Sequence, residues 1–211
     1  MRVLAILGSG HLGQQIAHYA ISDNHFDSVV FFDDYTSDKI RNGFQILGTT
    51  NDIKREYLKK SFTELIIAIG YKHLKAKKDL FDRFHGEIPF GKIIHSSSWV
   101  DNLAIIEQGC VIYPSCSIDA NVIIKANTVL NIGCTVAHDT VIEKHCFLSP
   151  RVALAGFIKV EELCVIGINA TIIDNITIIA GTQIGGGTVI IKSITNSGLY
   201  VGNPARFIKK I

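Results

Sequence analysis

A histidine next to an acid, with a glycine eighteen residues later, is the pattern in this sequence best suited to proton-transfer chemistry. His138 precedes Asp139, and Gly156 follows at that distance. An imidazole ionises near neutral pH and can accept a proton, and an adjacent carboxylate can orient the ring and stabilise its protonated form. We interpret His138 as a general base. The alternative is a surface histidine whose hydrogen bonds are satisfied by the neighbouring acid.

The spacing of eighteen matters because the second half of the chain repeats every six residues. From Val100 to Ile190 every sixth position is aliphatic. This period fits neither a helix nor a flat strand, and it is typical of a chain wound into coils whose flat sides are each one hexapeptide long. Three hexapeptides per coil give about five coils. Gly156 then lies one coil from His138, so a slot without a side chain, suited to a thioester, is expected beside the imidazole.

All five cysteines share one register, four residues after the aliphatic positions, which otherwise carries mostly small residues. We interpret them as small buried fillers at the corners of the coils, not as metal ligands or nucleophiles. Five cysteines that cannot all pair favour a reducing compartment. The short apolar run at the N-terminus does not resemble a secretion signal, so a cytoplasmic location is expected. The five are Cys110, Cys116, Cys134, Cys146 and Cys164.

Composition excludes several classes of protein. The 211 residues suffice for one large or two modest domains. A net charge of +2 with 19% charged residues gives no sign of a nucleic-acid partner. The apolar residues are spread at intervals, and no run approaches the roughly twenty residues needed to span a membrane.

Before the repeat, strands and helices alternate. Apolar runs at Arg2–Leu7, Ser28–Phe32 and Glu64–Ile69 read as buried strands, and residues 71–84 read as a helix. This alternation predicts a small Rossmann-like α/β domain with a parallel sheet. The predicted organisation is therefore an α/β domain over residues 1–95, followed by an all-β helix with a C-terminal cap over residues 96–211.

The first strand leads into a glycine-rich turn, Gly8–Gly13, with the pattern GxGxxG. Glycines let the backbone approach a phosphate, and the start of the following helix favours anions. The acids Asp33 and Asp34 end the second strand, where they could face a base or sugar hydroxyls. A complete dinucleotide-binding fold needs two such halves, and this chain has only one. The motif therefore fits a nucleoside diphosphate attached to another group better than a dinucleotide. The alternative is a purely structural role, in which the glycines allow a tight turn and bind no phosphate.

A basic cluster of Lys72, Lys75, Lys77 and Lys78 follows the strand that ends at Gly70. A solvated helix face is the favoured interpretation. A contact between Lys72 and a phosphate is the functional alternative.

A second set of residues, also eighteen apart, lines one edge of successive coils. These are Pro150, Ile168 and Gly186. A long thin ligand could run along that edge, close to the backbone at Gly185–Gly187. Beyond the repeat, Gly202–Arg206 and the closing lysines could meet the adenine and phosphate of coenzyme A.

Together these motifs resemble the hexapeptide-repeat sugar acyltransferases that join a nucleotide-sugar-binding α/β domain to a left-handed parallel β-helix. This family includes bacillosamine, perosamine and viosamine N-acetyltransferases and sialic acid O-acetyltransferases. The resemblance rests on motifs along nearly the whole chain: Ser9-Gly10-His11, Phe32-Asp33-Asp34, Ile67-Ala68-Ile69-Gly70, Val136-Ala137-His138-Asp139, Leu154-Ala155-Gly156, Gly167-Ile168-Asn169, Gly185-Gly186-Gly187 and Val201-Gly202-Asn203-Pro204-Ala205.

The resemblance implies acetyl-CoA as co-substrate, no metal, a homotrimer, and an active site between neighbouring subunits. It implies His138 as the base beside Asp139. The residues expected to bind the nucleotide-linked sugar are Ser9, Gly10, His11, Asp33, Asp34, Gly70 and Lys72. Those expected to bind acetyl-CoA are Phe147, Gly156, Ile168, Gly186 and Pro204. The chain departs from the family at Leu12, where relatives have glycine, at Asp139, often glutamate, and at Phe147, where some have a second histidine.

We expect an enzyme that moves acetyl from acetyl-CoA to the amine of a nucleotide-linked sugar, such as a 4-amino-4,6-dideoxy sugar, for bacterial surface glycan synthesis. Three alternatives stay open. They are sugar O-acetylation of the sialic acid type, a metal-dependent hydratase with His138 and His145 as zinc ligands, and a non-catalytic trimer that senses a nucleotide. The sequence does not specify the nucleotide or the position on the sugar ring.

Overall fold

The computed structural model describes all 211 residues and divides them into two compact units, Met1–Ile93 and Ile94–Ile211. The division lies two residues before the boundary expected from the sequence. Each unit is described by itself.

The first unit is a five-stranded sheet with three α-helices. Its strands are β1 (Val3–Leu7), β2 (Ser28–Phe32), β3 (Ile40–Arg41), β4 (Phe44–Gly48) and β5 (Glu64–Ile67). Its helices are α1 (His11–Ser22), α2 (Ile53–Leu58) and α3 (Leu74–Phe84), with short 3-10 turns at Thr50–Asp52 and Tyr71–His73. None of these helices has the length and apolar character that crossing a membrane requires.

The sheet order is β3-β4-β2-β1-β5, and all neighbouring strands except β3 and β4 run parallel. All five residues of β1 are buried, as expected for a central parallel strand. The predicted parallel sheet is confirmed. The antiparallel β3–β4 hairpin was not predicted, although its turn, Asn42-Gly43, has positive φ at both residues and is a strong hairpin signal.

The lysine cluster on α3 is only partly solvated. Lys72 and Lys75 are exposed, and Lys78 forms an ion pair with Asp82. Lys77, however, is fully buried, so the prediction of a solvated face is wrong at this position. The helical register explains the difference, because Lys77 lies three residues after Leu74 on the buried face of α3. An ammonium group buried in this way needs a partner, and Lys77 does interact within the chain.

The second unit is a parallel β-helix in which two-residue strands alternate among three faces. The first face contains β7 (Trp99–Val100), β10 (Ser117–Ile118), β13 (Thr135–Val136), β16 (Ala153–Leu154), β19 (Thr171–Ile172) and β22 (Val189–Ile190). The second contains β8 (Ile105–Ile106), β11 (Ile123–Ile124), β14 (Val141–Ile142), β17 (Lys159–Val160) and β20 (Thr177–Ile178). The third contains β6 (Ile93–Ile94), β9 (Val111–Ile112), β12 (Val129–Leu130), β15 (Phe147–Leu148), β18 (Val165–Ile166), β21 (Gln183–Ile184), β23 (Leu199–Val201) and β24 (Arg206–Lys209).

We call the turn from the first face to the second the first edge, that from the second to the third the second edge, and that from the third to the first the third edge. Equivalent strands pair eighteen residues apart, for example Val136 with Leu154. The predicted winding of three hexapeptides per coil is therefore confirmed. Each edge presents a column of residues at intervals of eighteen along the sequence.

The predicted inward positions form the core of the β-helix. The aliphatic residues of the repeat and all five cysteines are packed in one buried cluster. Each thiol donates a hydrogen bond to a backbone carbonyl fifteen residues later, as Cys116 does to Asn131 at 3.2 Å. The interpretation of the cysteines as buried fillers is confirmed.

The last two strands lie beyond the repeat and were not predicted. β23 pairs in parallel with β21, and β24 runs antiparallel to β23 with all four residues exposed. The hexapeptide period ends at Ile190, so no apolar spacing marks these strands in the sequence.

Candidate active site

His138 projects from the first edge, between β13 and β14, with its side chain about half exposed. Its Nδ1 atom lies 2.9 Å from Oδ2 of Asp139. An ionised carboxylate only accepts hydrogen bonds, so the contact places the proton of the neutral ring on Nδ1. Nε2 is then the nitrogen that can accept a proton. This is the arrangement expected of a general base oriented by an acid.

Asp139 is itself held by a residue that sequence reasoning missed. Nδ2 of Asn121 donates to Oδ1 of Asp139 at 3.1 Å. The hydrogen bond from His138, followed by that from Asn121, holds the pKa of Asp139 below its ordinary value. Asn121 stands eighteen residues before Asp139, so the period could have identified it. The three side chains form a continuous hydrogen-bonded series across two coils.

Gly156 lies under the imidazole and corrects one expectation. A Cβ atom at this position would lie 2.7 Å from Cε1 and 2.9 Å from Nε2 of His138. The expected empty slot is therefore filled by the ring, and the missing side chain is what allows the imidazole to rest on the next coil. The N–H of Gly156 makes no hydrogen bond within the chain.

Phe157 is a second residue that sequence reasoning missed. Its ring meets the imidazole edge to face, with centroids 5.1 Å apart and planes at 86°. Its backbone is left-handed, at φ 57°, a conformation that costs a residue with a side chain roughly 1–2 kcal/mol. Phe157 is 56% exposed, so its side chain is not part of the buried core.

The proposed acetyl-CoA residues Ile168 and Gly186 are stacked as expected, but at the third edge. A Cβ at Gly186 would lie 3.0 Å from Cγ2 of Ile168, which is half exposed. The face between the third and first edges spans six residues, up to about 20 Å. Within one chain these residues and His138 therefore do not line a common groove.

The other two proposed acetyl-CoA residues differ in accessibility. Phe147 is 5% exposed on the third face, so within this chain it offers almost no surface to a ligand. Pro204 is exposed and lines a pocket of about 370 Å³ at the far end of the β-helix, together with Lys192 and Arg206.

In the first unit, the glycine-rich turn is built around Asp33. Oδ2 of Asp33 accepts hydrogen bonds from both the N–H and the hydroxyl of Ser9, each at 2.7 Å. Burial raises the pKa of Asp33, but the hydrogen bonds from Ser9 and Tyr35 and the charge of Arg41 outweigh it and hold that pKa below its ordinary value of 3.8. Asp33 is therefore ionised at neutral pH and shapes the turn.

Asp34 was also expected to face a ligand, and its carboxylate is instead engaged within the chain. Its two oxygens accept from the N–H and hydroxyl of Thr50 at 2.7 and 2.6 Å. Both acids nevertheless line a small pocket of about 160 Å³ with an apolar floor that includes Leu7 and Ile69. This pocket lies at the carboxyl ends of β1, β2 and β5, where parallel α/β sheets bind ligands.

The glycines of the turn have different roles. A Cβ at Gly13 would lie 1.9 Å from the carbonyl oxygen of Gly8, so only glycine fits. Gly10 and Gly70 have open space around them. Gly10 caps α1, whose first residue, His11, is exposed, and Gly70 precedes the turn that carries exposed Lys72.

The geometry also bears on the zinc alternative. His138 lies at the first edge and His145 at the second, where Nδ1 of His145 is 2.9 Å from Nδ2 of Asn127. The two imidazoles therefore cannot share a metal ion within one chain. No cluster of three or more His, Cys, Asp or Glu side chains with ligand geometry is present.

Comparisons with known proteins agree with this architecture. Residues 3–84 match the family model of the PglD N-terminal domain. No curated protein matches the chain in a sequence search.

Solved structures resemble the chain over its whole length. The acetyltransferase domain of PglB from Neisseria gonorrhoeae is 27% identical with a TM-score of 0.92, covering 99% of this chain and 100% of that domain. The same domain in complex with acetyl coenzyme A has a TM-score of 0.90 at 27% identity, covering 98% and 99% of the two chains. PerB from Caulobacter crescentus, in complex with CoA and GDP-perosamine, is 25% identical with a TM-score of 0.88, covering 99% and 98%.

An α/β domain that matches the PglD type, a hexapeptide β-helix and an outward histidine thus occur together in this chain. Residues 3–84 thus match the PglD N-terminal domain, and over its whole length the chain is similar to the acetyltransferase structures of PglB and PerB.

Proposed function

We propose that this enzyme transfers the acetyl group of acetyl-CoA to the amine of a nucleotide-linked amino sugar, with His138 as general base. The observation that carries the proposal is the contact of Nδ1 of His138 with Asp139, which leaves Nε2 free to accept a proton. The related structures with acetyl coenzyme A, and with CoA and GDP-perosamine, support the two substrate classes.

The chemistry follows from these groups. The amine nitrogen attacks the thioester carbonyl, a C–N bond forms, and Nε2 of His138 takes the proton that the nitrogen loses. The N–H of Gly156 donates to the oxyanion of the tetrahedral intermediate. Collapse breaks the C–S bond, and the protonated imidazole returns the proton to the CoA thiolate. Asp139, held by Asn121, stabilises the imidazolium between these two steps.

The first domain supplies the nucleotide site in this proposal. The turn Ser9–His11 faces the phosphates, because the first N–H groups of α1 have no acceptor inside the helix. The apolar floor of the 160 Å³ pocket suits a base, and Asp33 and Asp34 form its polar rim. Gly70 leaves space beside Lys72, whose exposed ammonium can reach a phosphate.

Acetyl-CoA is proposed to follow the first edge. Lys192 stands three coils beyond His138 in that column, about 15 Å along the axis. Lys192 lines the 370 Å³ pocket with Arg206 and Pro204. Two cationic side chains are therefore available there for the phosphates of acetyl-CoA. The pantetheine arm would pass Gly156 on the way.

We propose that the site is completed by a second copy of the chain. Ile168 and Gly186 lie at the third edge, so they can contact the same acetyl-CoA only if the third edge of one copy meets the first edge of the next. Between these edges, the outward residues of β13, β16 and β19 on the first face are small: Thr135, Ala153 and Thr171. In a homotrimer whose copies turn their first faces toward the threefold axis, the first edge of one copy would meet the third edge of the next, and the small residues would lie at the interface.

The biological setting is proposed from the chemistry. An acetylated nucleotide-linked sugar is an activated donor for glycan assembly, which fits synthesis of a bacterial surface glycan. The five cysteines are free, in keeping with a cytoplasmic site of action.

A thiol-release assay with acetyl-CoA tests the proposal. A panel of nucleotide-linked 4-amino and 3-amino sugars, with the matching hydroxyl sugars, distinguishes N- from O-acetylation. We expect CoA release with an amino sugar and none with its hydroxyl counterpart. CoA release with the hydroxyl sugars alone would instead indicate O-acetylation. Binding of the nucleotide without CoA release for any sugar in the panel would indicate a non-catalytic sensor.

A further inference from the structure

Phe157 is an exception among the residues at its position in the repeat. The first edge has one left-handed residue per coil at intervals of eighteen, and asparagine or aspartate, which tolerate this conformation, occupy the other positions. The four residues are Asn121, Asp139, Phe157 and Asn175, at φ 60°, 56°, 57° and 57°. A bulky aromatic residue is disfavoured here.

Packing in the core does not explain the aromatic side chain, because the ring of Phe157 is more than half exposed. Its close aromatic contact is the imidazole of His138, which it meets at 86°. The backbone joins the same two residues, because the N–H of Phe157 donates to the carbonyl of His138 at 3.2 Å. Any residue but proline supplies that N–H, so what the aromatic side chain adds is the contact with the imidazole.

We propose that Phe157 is a positioning residue for His138. Its ring meets the imidazole edge to face, in addition to the contacts with Asp139 and Gly156, and so keeps Nδ1 on the carboxylate and Nε2 toward the reacting atoms. The strained, left-handed backbone of Phe157 is tolerated because its aromatic ring restricts rotation of the imidazole. This inference rests on the proposed role of His138 as the base.

The variant Phe157→Asn tests the inference, because asparagine is the residue at the equivalent turns 121 and 175. It relieves the strain and keeps the backbone N–H. We expect a melting temperature equal to or above that of the wild type, a kcat lower by about 2- to 13-fold, the rate equivalent of one aromatic pair, and an unchanged KM for acetyl-CoA.

Leu163→Asn is the matched control. Leu163 is left-handed at φ 60°, and its N–H donates to Lys144 in the same way, but it lies at the second edge. Leu163→Asn should change the melting temperature in the same direction as Phe157→Asn does, but its kcat should stay at the wild-type value. Phe157→Tyr should keep wild-type kcat, whereas Phe157→Leu, which has apolar bulk but no ring, should not. Wild-type kcat in Phe157→Asn or in Phe157→Leu would overturn the inference.

A spectroscopic measurement separates this inference from the proposed function. Nitrogen-15 NMR of the histidine rings should show His138 as a single Nδ1-protonated tautomer in the wild type and as a tautomer mixture in Phe157→Asn. This result is expected even if no acceptor in the panel is acetylated. Identical His138 signals in the two proteins would refute the positioning role, whatever the enzyme's activity.

Discussion

His138 depends for its orientation on residues from three successive coils. Asn121 precedes it by one coil, Asp139 adjoins it, and Gly156 and Phe157 follow one coil later. The acid and the glycine could be identified from the sequence, because Asp139 adjoins the histidine and the period of eighteen places Gly156 beside it. The period also reaches Asn121 and Phe157, but which way a turn side chain points depends on its backbone conformation, which the sequence pattern does not reveal.

A similar limit applies to the acids of the first domain. Their place at the end of β2 was predicted, but their engagement with Ser9 and Thr50 was not. Short polar side chains at strand ends can bind either a ligand or a nearby backbone N–H, and the two outcomes share one sequence pattern.

The contact between Ser9 and Asp33 predicts a pH-dependent stability. Replacing Ser9 by Ala removes one hydrogen bond to a carboxylate and should lower the free energy of unfolding by about 1 kcal/mol at pH 7. The pKa of Asp33 is lowered in the folded state, so this stabilisation is present above the ordinary value of 3.8 and is lost as pH falls through the folded value. Urea unfolding at about pH 7 and pH 3 should show the difference between wild type and variant shrinking in acid.

Ser22→Ala is the control for this experiment, because Ser22 is an exposed serine of the same domain. It should change stability little at either pH. A Ser9→Ala deficit that stays constant down to pH 3 would contradict the assignment.

At the scale of elements, what could be predicted depended on periodicity. The β-helix and its winding followed from the aliphatic residue at every sixth position, and the buried strand β1 from its apolar run. Strand β3, which pairs with β4, and the strands β23 and β24 were missed because they are short or lie beyond the repeat, and are held by pairing with neighbouring strands. Lys77 was wrongly predicted to be solvated because a lysine is usually exposed, whereas its helical register places it on the buried face of α3.

The turn before α1 gives a prediction at this scale. Gly13→Ala would place a Cβ 1.9 Å from the carbonyl oxygen of Gly8, so the turn must be rebuilt. We expect the first domain to lose about 3 kcal/mol of stability or more. All three α-helices lie in that domain, so the helical circular dichroism signal during urea unfolding reports on it specifically.

Gly10→Ala is the matched control, because Gly10 belongs to the same motif, has an ordinary φ and has no neighbour within 4 Å of the added atom. It should cost less than about 1 kcal/mol. Equal losses from the two variants would show that helix capping, not the close approach of the two backbone segments, governs the glycine-rich turn.

At the scale of the whole molecule, the separation of His138 from Ile168 and Gly186 predicts that each active site uses two copies of the chain. Co-expression of His138→Ala with Ile168→Glu, each inactive alone, should restore activity. Every mixed trimer would contain one site with both edges intact, so random assembly should restore about a quarter of wild-type turnover. Size-exclusion chromatography with light scattering checks the trimer.

Restoration would not occur if each chain carried a complete site, because every chain in the mixture bears one of the two defects. Activity no higher than the sum of the two variants, in a preparation shown to contain mixed trimers, would therefore contradict the shared site. A monomeric wild type that turns over substrate would contradict it as well.

The most direct test of the central claim is acetyl transfer by the His138→Ala variant beside the wild type. With a nucleotide-linked amino sugar that the wild type accepts, thiol release and product mass should show turnover lowered by roughly 10²- to 10⁴-fold, with the affinity for acetyl-CoA, measured by calorimetry, largely retained. A variant that releases CoA and acetylates the amine at the wild-type rate would contradict the account.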